Sequence, residues 1–200
     1  MLTLDDWTPD VLLKAVALVC ALLTFIVGLL QYRRSQQWKR AEWVAQEMKA
    51  YFGDPIVQAT FLMMDWGSRR IPLYPDQVNE VDRYVRLTNE SVAAALELHD
   101  GRSEGFSDLE ADIRNAFDRT LDGMERFFYY VETGLVELSD LAPYLRYWAV
   151  QLCRSEPPRA EAHRLTRLTA YMRRYGYDGA LTLLKNIRAS EQVVTPPSPP

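Results

Sequence analysis

The sequence predicts an all-α fold, with one N-terminal transmembrane helix followed by a cytoplasmic helical bundle. Three observations point there: an apolar run over residues 11–32, apolar residues spaced by alternating threes and fours through most of the later chain, and no stretch alternating apolar and polar residues as a half-buried strand would. With 200 residues, 48% hydrophobic and 25% charged, the chain can bury a core, which excludes a wholly disordered or collagen-like protein. A formal charge of -4 gives no whole-chain basis for nucleic-acid binding, so nucleic acid is not an expected partner.

The first element carries one charge, Lys14, and none from Ala15 to Tyr32. About 20 apolar residues in a helix cross about 30 Å of hydrocarbon, and a lysine one turn inside the start can raise its ammonium to the headgroups. Thr8 as N-cap and Pro9 at the first turn open the helix, and Trp7 and Tyr32 bracket it as interfacial aromatics. A cleaved signal peptide would start basic and end in small residues; here Asp5, Asp6 and Asp10 lead in and Gln31-Tyr32-Arg33-Arg34 lead out. A buried core helix would not be apolar on every face. The basic residues Arg33, Arg34, Lys39 and Arg40 follow the span, so the positive-inside rule puts the C-terminal side in the cytoplasm. The expected organisation is therefore a short extracytoplasmic N-terminus at 1–10, the span at 11–32, a cytoplasmic helical domain at 33–190, and a disordered Pro-rich tail at 191–200.

Within the domain, Trp38, Ala41, Ala45, Met48 and Phe52 mark the apolar stripe of a helix that continues the span. Gly53-Asp54-Pro55 ends it and starts the next, with Asp54 as N-cap and Pro55 at the first position. That second helix runs to about Trp66, and a loop with Pro72 and Pro75 follows. Val78, Val81, Val85, Thr88, Val92 and Ala95 repeat the helical spacing and predict one long helix. Ser107 and Glu110 form a capping box for a helix with its core face at Leu109, Ile113, Phe117, Thr120, Met124, Phe127 and Val131, ended by Gly134. Further helices are expected over 139–153, with Leu141, Leu145, Trp148 and Leu152 inward, then over about 159–175 after Pro157-Pro158, and over about 178–188.

A single span followed by Trp38-Lys-Arg-Ala-Glu-Trp-Val-Ala-Gln-Glu, Asp54-Pro55, Met63-Met-Asp-Trp66, Phe117-Asp118 and Tyr144-x-x-Tyr147-Trp148 resembles a loose family of bacterial single-pass membrane proteins with a helical cytoplasmic domain, over about residues 10–175. The resemblance implies a bacterial inner-membrane location and a helical fold. It implies no activity, since the family carries no assigned catalytic residues.

Candidate functional residues are few. Ala17, Cys20, Ala21, Thr24 and Gly28 share one helical stripe of the span; they form a close-approach face for self-association or a partner's span, or they are a chance pattern of common small residues. Asp65, Arg69 and Arg70 beside Trp66 read as an ordinary helix-end ion-pair cluster or as a ligand-facing acid with two anion-binding arginines. Arg159, His163, Arg167 and Arg174 fall opposite Leu165, Leu168, Met172 and Tyr175; this basic face is solvated, docks an acidic surface, or rests on anionic lipid. Asp118, Asp122, Glu125, Tyr129 and Glu132 line up opposite their helix's apolar stripe and read as a solvated acidic face. Charge is segregated: residues 54–153 hold 9 basic and 18 acidic side chains, residues 154–190 hold 8 and 3.

No catalytic, metal or cofactor site is expected. Neither His99 nor His163 has a glutamate three residues before it, as a paired-iron bundle requires. Gly176-Tyr-Asp-Gly179 is a helix break rather than a phosphate cradle, and no serine is placed beside a histidine. Cys153 reads as a small buried hydrophobe. The function these readings favour is a non-enzymatic interaction or scaffold module at the bacterial inner membrane. Its expected partners are the lipid bilayer and either another copy, as a homo-oligomer, or a different membrane protein. The alternative is a membrane-tethered effector acting on membrane or nucleic acid in stress or phage defence.

Overall fold

The computed structural model describes residues 9–194 apart from residue 102. The expected tail at 195–200 and the helix-opening Trp7 and Thr8 lie outside the described residues. The fold is all-α save for one small hairpin. The chain divides into two units, one ending at Trp43 and the other beginning at Val44.

The first unit is a single helical segment. It is the leading part of α1 (Pro9–Gly53), a 45-residue helix. Its apolar stretch is not buried at all: Leu18 is 72% exposed and Phe25 67%. One helix is thus long and apolar enough to cross a membrane. Lys14 Nζ lies 2.5 Å from Asp10, one turn earlier, so the one cation of the apolar run has a carboxylate beside it. The Thr24 hydroxyl donates to the Cys20 carbonyl at 2.8 Å, satisfying the segment's one internal hydroxyl without an outside partner.

The second unit opens with the last turns of α1. Val44, Met48 and Tyr51 are its buried residues, while Trp38 in the first unit is 77% exposed and Ala41 and Ala45 are exposed. The inward stripe is therefore rotated by about one residue from the expected 41–45–48–52 register. Val44 in place of Ala45 buries more apolar surface, while Tyr51 takes the inward position next to a half-buried Phe52. Asp54 then caps α2 (Pro55–Asp65), accepting from the Ile56 and Val57 amides at 2.9 and 3.4 Å, with Pro55 at N1.

Residues 78–95 do not form the long helix that their spacing predicts. Val78 is 96% exposed and Val81 65% exposed. Asn79 caps a single 3₁₀ turn at Glu80–Arg83. Ser68–Ile71 (β1) and Val85–Thr88 (β2) pair antiparallel, with Ser68 opposite Thr88 and Ile71 opposite Val85. Thr88 then caps a short α3 (Asn89–Ala95). Of the six spacing residues four are valines and one is a threonine, β-branched types that prefer a pleated strand once a partner strand supplies the ladder. Ile71 and Leu87 point inward and are 1% and 3% exposed.

The rest is helical. The capping box of Ser107 and Glu110 opens α4 (Asp108–Glu132), and Ile113, Phe117, Thr120, Met124 and Phe127 are buried as the spacing predicts. Leu109 and Val131 are only half-buried, at the frayed ends of the stripe. Gly134 at φ 70° turns the chain into α5 (Leu138–Leu152), and Gly176 at φ 85° does the same between α6 (Arg159–Arg174) and α7 (Asp178–Val194). Helix α7 runs to Val194, beyond the expected end near 188 and into the segment expected as tail. Helix α4 is central: it packs on α2, α3 and α7, while α7 also covers α5 and α6.

Two close approaches set that packing. A Cβ on Gly123 would lie 2.3 Å from the Tyr51 ring, and one on Gly179 would lie 2.3 Å from Phe128 and 2.4 Å from the Glu125 carboxylate. Only glycine lets those elements meet at these distances. An aromatic cluster joins the helices around them, with Phe61 stacked on Trp148 at 4.1 Å and Tyr51 edge-on to Phe127 at 5.1 Å.

Candidate functional site

The second unit has a cleft of about 630 Å³ between the end of α1, the start of α2 and the outer side of α4. Tyr51 forms part of its wall and Asp54, Asp118, Arg119, Asp122 and Arg126 give it charge. Most of that charge is matched within the chain. Arg119 holds Asp54 with two nitrogens, at 2.7 and 2.5 Å, while the other oxygen of Asp54 caps α2. Arg126 lies 3.9 Å from Glu47. Asp118 accepts from the Tyr171 hydroxyl at 2.5 Å and the Tyr177 hydroxyl at 3.0 Å. The Tyr51 hydroxyl donates to the Thr120 carbonyl at 2.9 Å.

Burial is the first cause raising the Tyr51, Tyr171 and Tyr177 phenols well above their ordinary range, and the Asp118 carboxylate adds to it for the last two. These phenols stay protonated and act as fixed donors. Among the described residues no three His, Cys, Asp or Glu side chains gather as metal ligands. What the cleft can do is recognise: it offers a polar, internally balanced surface beside an aromatic wall.

The acidic line on α4 is thus not simply a solvated face. Asp118 and Glu125 turn toward the α6–α7 side, where Glu125 accepts from the Ala180 amide at 2.7 Å and so caps the start of α7 from a different helix. Asp122, Tyr129 and Glu132 are exposed.

The basic face of α6 is divided as well. Arg167 reaches Glu97 at 3.0 Å and Arg174 reaches Asp100 at 2.9 Å, tying α6 to the end of α3 and the 3₁₀ turn at His99–Gly101. The ring of His163 stands 3.5 Å from Arg167, and Arg159 is exposed at the helix start. Asp65, Arg69 and Arg70 do not come together: the Tyr147 hydroxyl donates to Asp65, Arg69 lies over the Trp66 ring at 4.9 Å, and Arg70 lies over Tyr84 at 5.5 Å. A helix end followed by a strand turns successive side chains to opposite faces, so the three separate. Ala17, Cys20, Ala21, Thr24 and Gly28 lie along α1 in the first unit, where Gly28 has open space in front of it. Arg33, Arg34 and Lys39 are exposed there and Arg40 is half-buried.

Sequence spacing alone overlooks two buried arginines. Arg164, 2% exposed, donates to the carbonyls of Met63 and Met64 at 2.6 Å each and of Trp66 at 3.3 Å, closing the end of α2. Arg114, 8% exposed, donates to the Ala95 and Glu97 carbonyls at 2.8 and 2.9 Å, closing α3, and lies over Phe106 at 4.2 Å and Tyr171 at 4.8 Å. Each supplies a cation to the negative end of a helix that has no basic residue in its own last turn. The signal was present: Arg164 precedes Leu168 and Tyr171 by four and seven residues, which places it on the apolar stripe rather than opposite it.

Comparison with protein-family models, with curated proteins and with solved structures finds no match to this chain.

Proposed function

We propose that the protein is a single-pass membrane-anchored helical module of the bacterial inner membrane, its N-terminus outside and its helical domain in the cytoplasm, where it works by binding rather than by catalysis. The observation that carries this reading is the apolar stretch of α1, wholly unburied and flanked by Arg33, Arg34, Lys39 and Arg40 on one side and Asp10 on the other. A helix with that much exposed apolar surface needs a non-aqueous surrounding.

The binding role rests on the kind of surface the second unit presents. Its cleft beside Tyr51 is polar and internally paired, its phenols are locked as donors, and its principal charges are committed to holding helices together. The occupant proposed for the module is a protein partner or a second copy in the same membrane. The alternative, a membrane-tethered effector, would act through the span or through Arg159, Arg167 and Arg174, and the last two of these arginines are engaged by Glu97 and Asp100.

The test is fractionation with protease mapping. The full chain should stay with membranes through an alkaline carbonate wash and leave them only in detergent. Protease added to intact spheroplasts should spare the domain and digest it only after lysis. Recovery in the aqueous fraction, or digestion from outside, would refute the anchoring. Cross-linking in intact membranes should then give one discrete larger species; a monomer under every cross-linking condition would refute the binding role.

A further inference from the structure

Where α5 ends against α6 and α7, the second unit has another recess, of about 310 Å³, that the role proposed above does not use. Cys153 and Arg154 contribute from the end of α5, and Leu181, Lys185 and Arg188 from α7. Three of these residues are cations, and no carboxylate lines the recess.

Among the described residues their charge is only partly balanced. The end of α5 supplies about half of an elementary negative charge, and Arg188 answers it by donating to the Cys153 carbonyl. Of the described acids, Glu161 lies 3.9 Å from Arg154 and is shared with Arg164 at 4.0 Å. Lys185 is exposed, and among the described residues its ammonium has no partner. Packing three cations around one concavity with so little compensation costs Coulomb energy, and an anion removes that cost. Burial raises the Cys153 thiol, and this outweighs the lowering by Arg188 and Lys185, so the wall stays neutral and does not compete with an anion.

We infer that this recess is a binding site for a phosphate group, carried by a soluble small molecule or by a lipid headgroup, with Lys185, Arg188 and Arg154 as its cations. Arg188 and Arg154 are held in place by the end of α5 and by Gln151, as a preorganised anion site needs. Lys185 is the adjustable member and the residue whose loss should affect binding without affecting the fold.

The experiment uses the full-length chain in nanodiscs. With zwitterionic lipid, inorganic pyrophosphate is titrated by calorimetry at constant ionic strength. Saturable binding with a dissociation constant below about 1 mM is expected, weakened about tenfold or more by Lys185→Glu. In a Cys20→Ser background, where Cys153 is the sole thiol, bound pyrophosphate should slow alkylation of Cys153 at mildly alkaline pH. With phosphatidylglycerol discs and no pyrophosphate, slower alkylation that Lys185→Glu restores would identify a lipid headgroup as the source; slowing by pyrophosphate alone would identify a soluble phosphate. Absence of saturable binding together with no lipid effect, or effects undiminished in Lys185→Glu, would overturn the inference. Failure of the anchoring would show separately, as a chain that does not enter discs of either composition.

Discussion

Replacing Arg164 by methionine keeps a long flexible stem but strips three carbonyls at the end of α2 of their donor. Burial lowers the pKa of this side chain, the Glu161 and Asp65 carboxylates oppose that shift, and the three carbonyls take up its N–H donors. Arg164→Met is expected to destabilise the second unit by about 2–4 kcal/mol, read as a shift in denaturation midpoint. Arg164→Lys should recover less than half of that loss, because one ammonium cannot replace the planar fork that reaches Met63 and Met64 together. Gly123→Ala should cost about 1–3 kcal/mol by pushing a methyl into the Tyr51 ring. Combined with Tyr51→Ala, the two losses should add to less than their separate values, since the collision is then gone. Composition and spacing identified Ser107, Glu110, Asp54 and Gly134 because capping and turning are local chemistry. They did not identify Arg164 or Arg114, whose carbonyl partners are 98–101 and 17–19 residues away along the chain.

At the scale of elements, the helices were largely legible and the hairpin was not. Helices α4, α5 and α6 have stripes that one sequence window contains. The pairing of Arg69 with Leu87 depends on a strand 18 positions away, so counting valines at helical intervals favoured a helix there. The acidic line of α4 was visible, but its use by α7 and by two tyrosines of later elements was not. That arrangement has a consequence at high pH. Tyr74, beside Asp112, is pushed up to about 12, first by burial and then by its hydrogen bond to that carboxylate, and Tyr171 and Tyr177 rise for the same reasons. In the unfolded chain these phenols ionise near 10. Below that pH their contribution is fully present. As pH climbs past it the unfolded chain releases protons that the folded chain retains, so stability falls. Denaturation midpoints should hold up to about pH 9 and decline between about pH 10 and 12, and Tyr171→Phe with Tyr177→Phe should flatten the decline.

For the whole molecule, the apolar stretch of α1 decides where the chain can exist. Changing Val19 and Leu22 to arginine puts two charges near the middle of that stretch, each opposing insertion by about 2.5–3.5 kcal/mol. The double variant should shift most of the protein out of the membrane fraction, as followed by fractionation and immunoblot. The long apolar stretch was legible because its length and composition are read from one sequence window without help from any other element. The clefts were not, because each is assembled from three helices. One further effect follows from the arginines at the helix ends. Met63 and Met64 leave the ribosome a hundred residues before the side chain that completes them, so during synthesis the end of α2 waits for its distant partner and is closed only once α6 has been made.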